Sequence, residues 1–185
     1  MNTDTTLTRP TQTSSGTMAT GLFPDRASAE AAYQSASARG YGRDDVDLVM
    51  SDDTRKTHFV NDGAVQTELG NKAAEGAGIG GAIGGTVGAI AAAVAAVGTT
   101  LALPGLGLVI AGPLAAAVAG AGAGAAGGGL IGALIGWSIP EERVKAYEEG
   151  IKRGGILMGV RSKNSEDADY FESEWKNHSG QDISR

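Results

Sequence analysis

Hydrophobic positions follow two different patterns along this chain. In its outer parts they alternate with polar residues or recur at spacings of three and four, whereas no Asp, Glu, Lys, Arg or His occurs between Glu75 and Glu141. Alternation is typical of half-buried strands, and spacings of three and four are typical of amphipathic helices. The pattern therefore indicates one folded domain interrupted by a charge-free block, which we define as residues 76–138.

The first patterned part, residues 18–53, predicts a strand, a helix and a second strand. The short apolar run Met18–Phe23 ends at Pro24. The apolar stripe of the helix consists of Ala29, Ala32, Tyr33 and Ala36. The second strand shows the alternating residues Val46, Leu48 and Met50. Residues 1–17 are polar and predict a disordered tail, and the mixed sequence 54–75 predicts a linker.

The second patterned part, residues 139–185, predicts a helix, a strand and another helix. The two helical stripes consist of Val144, Tyr147 and Ile151, and of Ala168, Phe171 and Trp175. The strand-like run is Ile156–Val160, and Asp182-Ile183 is a candidate edge strand. Neither part is large enough to bury a core by itself. Together they predict one α+β domain of ferredoxin-like type, to which both ends of the block are attached.

The block predicts a helical hairpin. Its arms are Gly76–Val97 and Leu108–Trp137, with a turn at Pro104-Gly105. Pro113 either kinks the second arm or begins its main part. Each arm, with at least 22 residues, is about 33 Å long or more as a helix, enough to cross a hydrocarbon layer of about 30 Å. The hairpin is therefore predicted to span a membrane.

Small residues recur every fourth position in both arms. The glycines of this ridge are Gly76, Gly80, Gly84 and Gly88, and then Gly112, Gly120, Gly124, Gly128, Gly132 and Gly136, with Ala116 in the remaining place. Residues four apart share one helix ridge, and small ridges allow close helix contact in membranes. A step of four residues turns a helix by about 400°, so the ridge drifts by about 40° per step. It is predicted to contact the other arm and neighbouring subunits.

The residues that flank the block indicate an orientation. Trp137 lies at its boundary, where an interfacial aromatic residue is expected. Basic residues occur on both flanks and none occurs in the turn. Because basic residues favour the cytoplasmic side, the termini and the α+β domain are predicted to be cytoplasmic, with the hairpin in a bacterial inner membrane. The alternative is a cytoplasmic assembly.

The sequence shows no arrangement typical of an enzyme or a cofactor site. Gly76–Gly81 fits the pattern G-x-G-x-x-G, but neither the preceding strand nor the acidic residue about 20 positions later is present. His58 and His178 are isolated, and there is no cysteine. Five aspartates, which we interpret as solvated strand ends, are Asp44, Asp45, Asp47, Asp52 and Asp53. We therefore expect no catalytic, metal or cofactor residues and no small-molecule substrate.

The charge distribution bears on partners. The formal net charge is −6, and there is no basic stripe. Nucleic-acid-binding surfaces are typically basic. The expected partners are therefore other copies of the chain and a lipid bilayer, and not a nucleic acid.

Several segments resemble a known family in their order and spacing. They are Gly21–Glu30, Leu103–Gly107, Ala111–Leu114, Ile139–Glu142 and Tyr147–Ile156. The chain, from about Thr20 to Trp175, resembles bacterial general stress or heat-induced stress proteins that carry an inserted glycine-zipper segment and have no known biochemical role. The resemblance implies a link to stress and a membrane location, and it implies no catalytic residues.

These observations favour a non-enzymatic, stress-associated membrane protein that self-assembles through its glycine-zipper hairpin. Envelope protection or membrane remodelling would be its role. One alternative is a soluble structural protein whose hairpins stack into a homo-oligomeric filament, tube or shell. Another is a pore-like hairpin that inserts conditionally.

Overall fold

The computed structural model describes residues 17–60, 101–103, 107–120, 134 and 139–185, which form a mixed α and β fold on one six-stranded sheet. The strands are β1 (Met18–Phe23), β2 (Val46–Ser51), β3 (Leu101–Leu103), β4 (Leu108–Ala111), β5 (Ile156–Arg161) and β6 (Gln181–Ser184). The helices are α1 (Arg26–Ala38), α2 (Asp52–Arg55), α3 (Pro113–Gly120), α4 (Glu141–Lys152) and α5 (Ser165–Asn177), and a π-helical turn, Lys56–Val60, follows α2.

The strand order is β3-β4-β2-β5-β1-β6, and each pair of neighbours is antiparallel. Because β5 pairs with both β1 and β2, those two strands are parallel, and α1 connects them. Similarly, β5 and β6 are parallel to each other through their pairing with β1, and α5 connects them. The sheet therefore contains two βαβ units, and β5 of the second unit lies between the strands of the first.

Alternation along the strands divides the core into two layers. One face of the sheet carries Phe23, Met50 and Met158, against which α1 and α5 pack with Ala32 and Trp175. The residues on the other face include Leu22, Val49 and Leu157, which lie in one cluster with Val144, Tyr147 and Ile151 of α4. The strands are thus covered on both faces, in three layers.

The prediction of a mixed fold from the two outer parts of the chain is confirmed. Asp25 caps α1, since its side chain accepts a hydrogen bond from the Ser28 amide. Gly40, with φ of +80°, follows the end of that helix. The start of the predicted linker, residues 54–60, is helical.

The prediction for the second arm of the hairpin is wrong at its start. Leu108–Ala111, expected to be helical, forms β4 and pairs with β2. The physical reason is that Val109 and Ile110 are β-branched and that the edge of β2 offers both hydrogen bonds and apolar surface on each face. Of the two alternatives for Pro113, the structure has the one in which it begins a helix.

Other predictions for the block fall outside the described residues. These include the first arm, the turn residues Pro104 and Gly105, the interfacial Trp137 and the glycines Gly76, Gly80, Gly84, Gly88, Gly124, Gly128, Gly132 and Gly136. Within the described ranges, no helix is long and apolar enough to cross a membrane.

Candidate functional site at the junction of the block and the sheet

Part of the charge-free block is built into the sheet of the charged domain. β4 pairs with β2 from Leu48 opposite Ala111 to Ser51 opposite Leu108. At the start of β4, the Asp52 amide donates a hydrogen bond of 2.7 Å to the Gly107 carbonyl. The strand β3 pairs with the outer side of β4, from Leu101 opposite Ile110 to Leu103 opposite Leu108. The block thus extends the sheet beyond β2.

Gly112 forms the turn between β4 and α3. Its φ is +109°, a conformation that residues with a Cβ rarely adopt. A Cβ built there would lie 2.5 Å from the Val46 carbonyl oxygen and 2.6 Å from Asp47 Oδ1. The close approach of the block to β2 therefore requires glycine at this position. Gly112 was predicted to lie on a helix ridge, and it lies instead in a tight turn.

Asp47 supplies the N-terminal cap that α3 lacks in its own sequence. Gly112, which precedes the helix, has no side chain, and Pro113 has no amide hydrogen. The Leu114 amide donates a hydrogen bond of 2.7 Å to Asp47 Oδ1. A carboxylate at this place satisfies a free helix amide and interacts favourably with the helix dipole.

Burial makes Asp47 an unusual carboxylate. The residue is 4 % exposed, in the interior of a strand. Burial raises its pKa from 3.8 to about 6, against the opposing effects of the Leu114 amide and the charge of Arg161. Asp47 is therefore mainly ionised at pH 7, yet it carries its charge at a cost in desolvation.

The apolar side of the junction includes residues of α3 and one further residue of the block. Leu114 and Ala115 of α3 are buried in the cluster that includes Val49 and Ile110. Leu134, also from the block, is fully buried in the same cluster. The block therefore contributes to the core of the domain at two separate points of its sequence.

A second polar cluster joins α1 and α5, which pack on the opposite face of the sheet. Asp167, near the start of α5, accepts hydrogen bonds from the Tyr41 hydroxyl at 2.7 Å and from Asn164 Nδ2 at 3.0 Å, and it pairs with Arg39. These partners hold the pKa of Asp167 below its ordinary value, the Tyr41 hydroxyl having the largest effect. Lys163 lies over the Tyr41 ring, with Nζ 4.4 Å from its centroid. The cluster is internally satisfied and serves as a structural tie.

A third polar contact connects α4 to the edge of the sheet. The Tyr147 hydroxyl donates to the Asp182 carbonyl over 2.6 Å and lies 2.9 Å from Thr20 Oγ1. Since the Tyr147 hydrogen is used for Asp182, Thr20 is the donor in the second bond. The contact fixes β6, which departs from regular pairing between Thr20 and Leu22.

The five aspartates differ in burial and in their partners more than the sequence indicated. Asp44 and Asp53 are exposed, as expected of solvated strand ends. Asp52 pairs with Arg55 and Lys56 on its own helical turn. Asp47 contradicts the interpretation, because α3 and α4 cover the face on which it lies. In the alternation Val46–Met50, Asp47 lies on the face of the strand opposite Val46, Leu48 and Met50. It could be identified as buried only by knowing that a second layer covers that face.

The remaining candidates show no reactive grouping. His178 lies 3.1 Å from Glu174 Oε1 on its own helix, and His58 is in the π-helical turn. Among the described residues, no three His, Cys, Asp or Glu side chains are placed to hold a metal ion. Gly120 is the last residue of α3.

Comparisons with known proteins give no relative from which a role could be transferred. No family model matches the chain. No curated protein and no solved structure matches it either.

Proposed function

We propose that the protein is a non-enzymatic, stress-associated membrane protein with a ferredoxin-like core, which self-assembles through the glycine-rich stretches of its charge-free block. Its role would be envelope protection or membrane remodelling at the bacterial inner membrane, with the core on the cytoplasmic side. The link to stress rests on the sequence resemblance alone. The partners are further copies of the chain and lipid.

The ferredoxin-like part of the proposal is supported by the strand order. Without β3 and β4, the sheet reads β2-β5-β1-β6, with α1 and α5 on one face. This is the arrangement of two interlocked βαβ units that defines such folds. The strands β3 and β4 then extend the sheet on the β2 side, and α4 covers its second face.

The observation that carries the assembly proposal is the composition of the stretches 76–97 and 121–136. They contain only Gly, Ala, Val, Ile and Leu, apart from Thr86. In a water-exposed helix each glycine costs about 1 kcal/mol relative to alanine. Close backbone contact between small-residue ridges is a known compensation, and it needs another apolar surface, from lipid-embedded helices or from other copies.

The packing of α3 on the core limits the length of the stretch 121–136 that is available to enter a membrane. Its side chains Leu114 and Ala115 are used in the core. The 16 residues 121–136 would give about 24 Å of helix, less than the thickness of about 30 Å of a hydrocarbon layer. We therefore propose that, with α3 docked, this stretch enters the bilayer or packs on other stretches without crossing it alone.

The second candidate function is a cytoplasmic filament, tube or shell made of stacked copies. The incorporation of β4 and α3 into the core of a charged domain favours it. In that assembly the glycine ridges would pack on each other between subunits rather than among lipids.

Fractionation separates the two candidates. Cells that express the chain are lysed, and membranes are washed with carbonate at high pH. Retention in the washed membranes supports the membrane protein, and recovery in the wash as large particles by light scattering supports the filament or shell. A monomer in the wash would contradict both.

Substitutions test whether the ridge drives assembly. Gly124→Leu and Gly128→Leu place bulk on the ridge, and Ala126→Leu adds bulk two positions away. We expect smaller oligomers for the two glycine variants and wild-type size for Ala126→Leu. Equal oligomer size in all four proteins would refute assembly through the ridge.

A further inference from the structure

Among the described residues, the junction at Asp47 is where a charged side chain of the core holds the block. Asp47 Oδ1 accepts the Leu114 amide at 2.7 Å, and β4 and α3 have no titratable side chain of their own. The side chain of this polar tie is therefore supplied by the core, and the block contributes backbone groups. Its removal would leave α3 without a cap for its first turn.

The pairing of β1, β2, β5 and β6 does not involve this junction. β5 pairs with β1 over six residue pairs, from Met18 to Phe23, and with β2 over five, from Val46 to Met50. β6 pairs with β1 at the far edge. On the other face, the Asp167 cluster ties α1 to α5. The four-stranded part of the sheet thus has its own pairing, and most residues of the apolar layer under α1 and α5 belong to it, with Val109 and Ala111 of β4 added at its edge.

We infer that β4 and α3 form a detachable unit held at Asp47, which can leave the edge of β2 while β1, β2, β5 and β6 stay paired. Gly112, in the turn inside this unit, is its point of closest approach to β2. Detachment would uncover the β2 edge and release Leu114 and Ala115 from the core. This inference concerns docking and goes beyond the proposed function.

Detachment has a further consequence that rests on the proposed function. The segment 113–137, taken as one helix, would become free along its full length. Its 25 residues would give about 37 Å, enough to cross a bilayer. Docking of α3 would then decide whether the second stretch can span.

Docking is coupled to pH through the burial of Asp47. On β5, the charge of Arg161 favours the ionised form of Asp47. On α4, the Tyr147 hydroxyl is hydrogen-bonded to Thr20 and to the Asp182 carbonyl rather than to Asp47. A carboxyl with a pKa of about 6 when docked and 3.8 when exposed binds its proton more tightly in the docked form. Docking is therefore tightest at low pH and weakens as pH rises through 6. Between pH 5 and 7.5 the docking equilibrium changes roughly tenfold.

Hydrogen exchange of the full-length chain measures the unit directly. Peptic peptides covering residues 107–116 are compared with those covering 156–161 at pH 5.0 and 7.5, after correction for intrinsic exchange rates. We expect the first set to lose about tenfold in protection at the higher pH, and the second set to keep its protection. Joint loss of protection in both sets would overturn the inference.

Three variants complete the test. Asp47→Asn keeps an oxygen for the Leu114 amide but does not titrate, so the pH dependence of residues 107–116 should disappear. Asp45→Asn, at a neighbouring carboxylate that accepts the Gly42 amide, should keep it. Gly112→Ala should expose residues 107–116 at both pH values while β5 stays protected. Persistence of the pH effect in Asp47→Asn, or loss of β5 protection in Gly112→Ala, would each refute the inference.

Discussion

The Tyr41 hydroxyl donates a hydrogen bond of 2.7 Å to Asp167, which lies 126 residues further along the chain. The same hydroxyl accepts the Lys163 amide at 2.7 Å. One phenol therefore connects the loop after α1 with the segment that starts α5. The two halves of the domain, separated in sequence by the whole block, are locked together on this face.

Replacement of Tyr41 by phenylalanine tests this lock. Tyr41→Phe removes the hydroxyl and keeps the ring, which lies edge-on to Phe171 with centroids 5.0 Å apart. Because the Lys163 amide and the Asp167 carboxylate each lose a partner, we expect the free energy of unfolding to fall by about 1–3 kcal/mol. Urea denaturation at pH 7 measures it. The control is Tyr170→Phe, expected to change stability by less than about 0.5 kcal/mol; equal losses would show that the hydroxyl contacts are not the cause.

Alkaline pH should weaken the same contact. Burial, helped by the hydrogen bond to Asp167, raises the pKa of Tyr41 to about 12. In the folded state the pKa of Tyr41 lies above the ordinary 10.0. The contribution of the protonated hydroxyl to the free energy of unfolding is therefore complete below pH 10 and is lost between pH 10 and about 12. Urea midpoints from pH 9 to 11 should fall for the wild type and fall less for Tyr41→Phe. Parallel curves would contradict this assignment.

Asp47 should respond to pH in the opposite direction from an ordinary carboxylate. Its pKa of about 6 means that the folded state favours the protonated form. Asp47→Asn should therefore stabilise the protein by about 3 kcal/mol at pH 7. At pH 4 the difference should nearly vanish, because the wild-type carboxyl is then protonated in the folded state. A destabilised variant at pH 7 would show that the hydrogen bond from the Leu114 amide to the charged carboxylate outweighs the cost of desolvation.

Asp167 should show the usual behaviour of a paired carboxylate. The Tyr41 hydroxyl and Arg39 hold its pKa below 3.8, so its contribution is complete above that pH and is lost as pH falls through the lowered pKa. Asp167→Asn should lower the free energy of unfolding at pH 7 by about 1–3 kcal/mol. Denaturation curves at pH 7 and pH 3 should show a smaller deficit at pH 3. The matched exposed control is Glu166→Gln on the same helix turn.

Gly150 allows α4 to approach β1. A Cβ at this position would lie 2.0 Å from Leu22 Cδ2. Gly150→Ala should therefore lower the free energy of unfolding by about 1–3 kcal/mol, although alanine is the better helix former. Thermal unfolding measures the loss. Leu22→Ala combined with Gly150→Ala should cost less than the sum of the two single changes, and simple additivity would rule out the steric contact.

The outer parts of the chain could be interpreted from sequence because their patterns are local. Val46, Leu48 and Met50 alternate on one strand, and Phe171 and Trp175 are one helical turn apart. Periodicity of this kind reports which face is buried without knowledge of the partner. The capping residues of α1 and α5 are similarly local, since each accepts an amide three residues later.

The junction could not be predicted in the same way. A short apolar run such as Leu108–Ala111 suits a strand or a buried helix, and its state depends on the edge of β2, about 60 residues earlier. Asp47 has the same difficulty, because a polar residue on a strand is normally interpreted as solvent-facing. Its burial results from helices that join the sheet only through distant contacts.

The central place of β5 has a consequence for how the protein is made. In the described part of the sheet, β5 is the strand that separates β1 from β2, and its first residue, Ile156, follows Ser51 by about 100 residues. At 5–20 residues per second, a ribosome needs roughly 5–20 seconds to cover that distance. During this interval the charge-free block emerges before the sheet can close. Translation order thus gives chaperones or a nearby bilayer access to the block ahead of the strand that completes the domain.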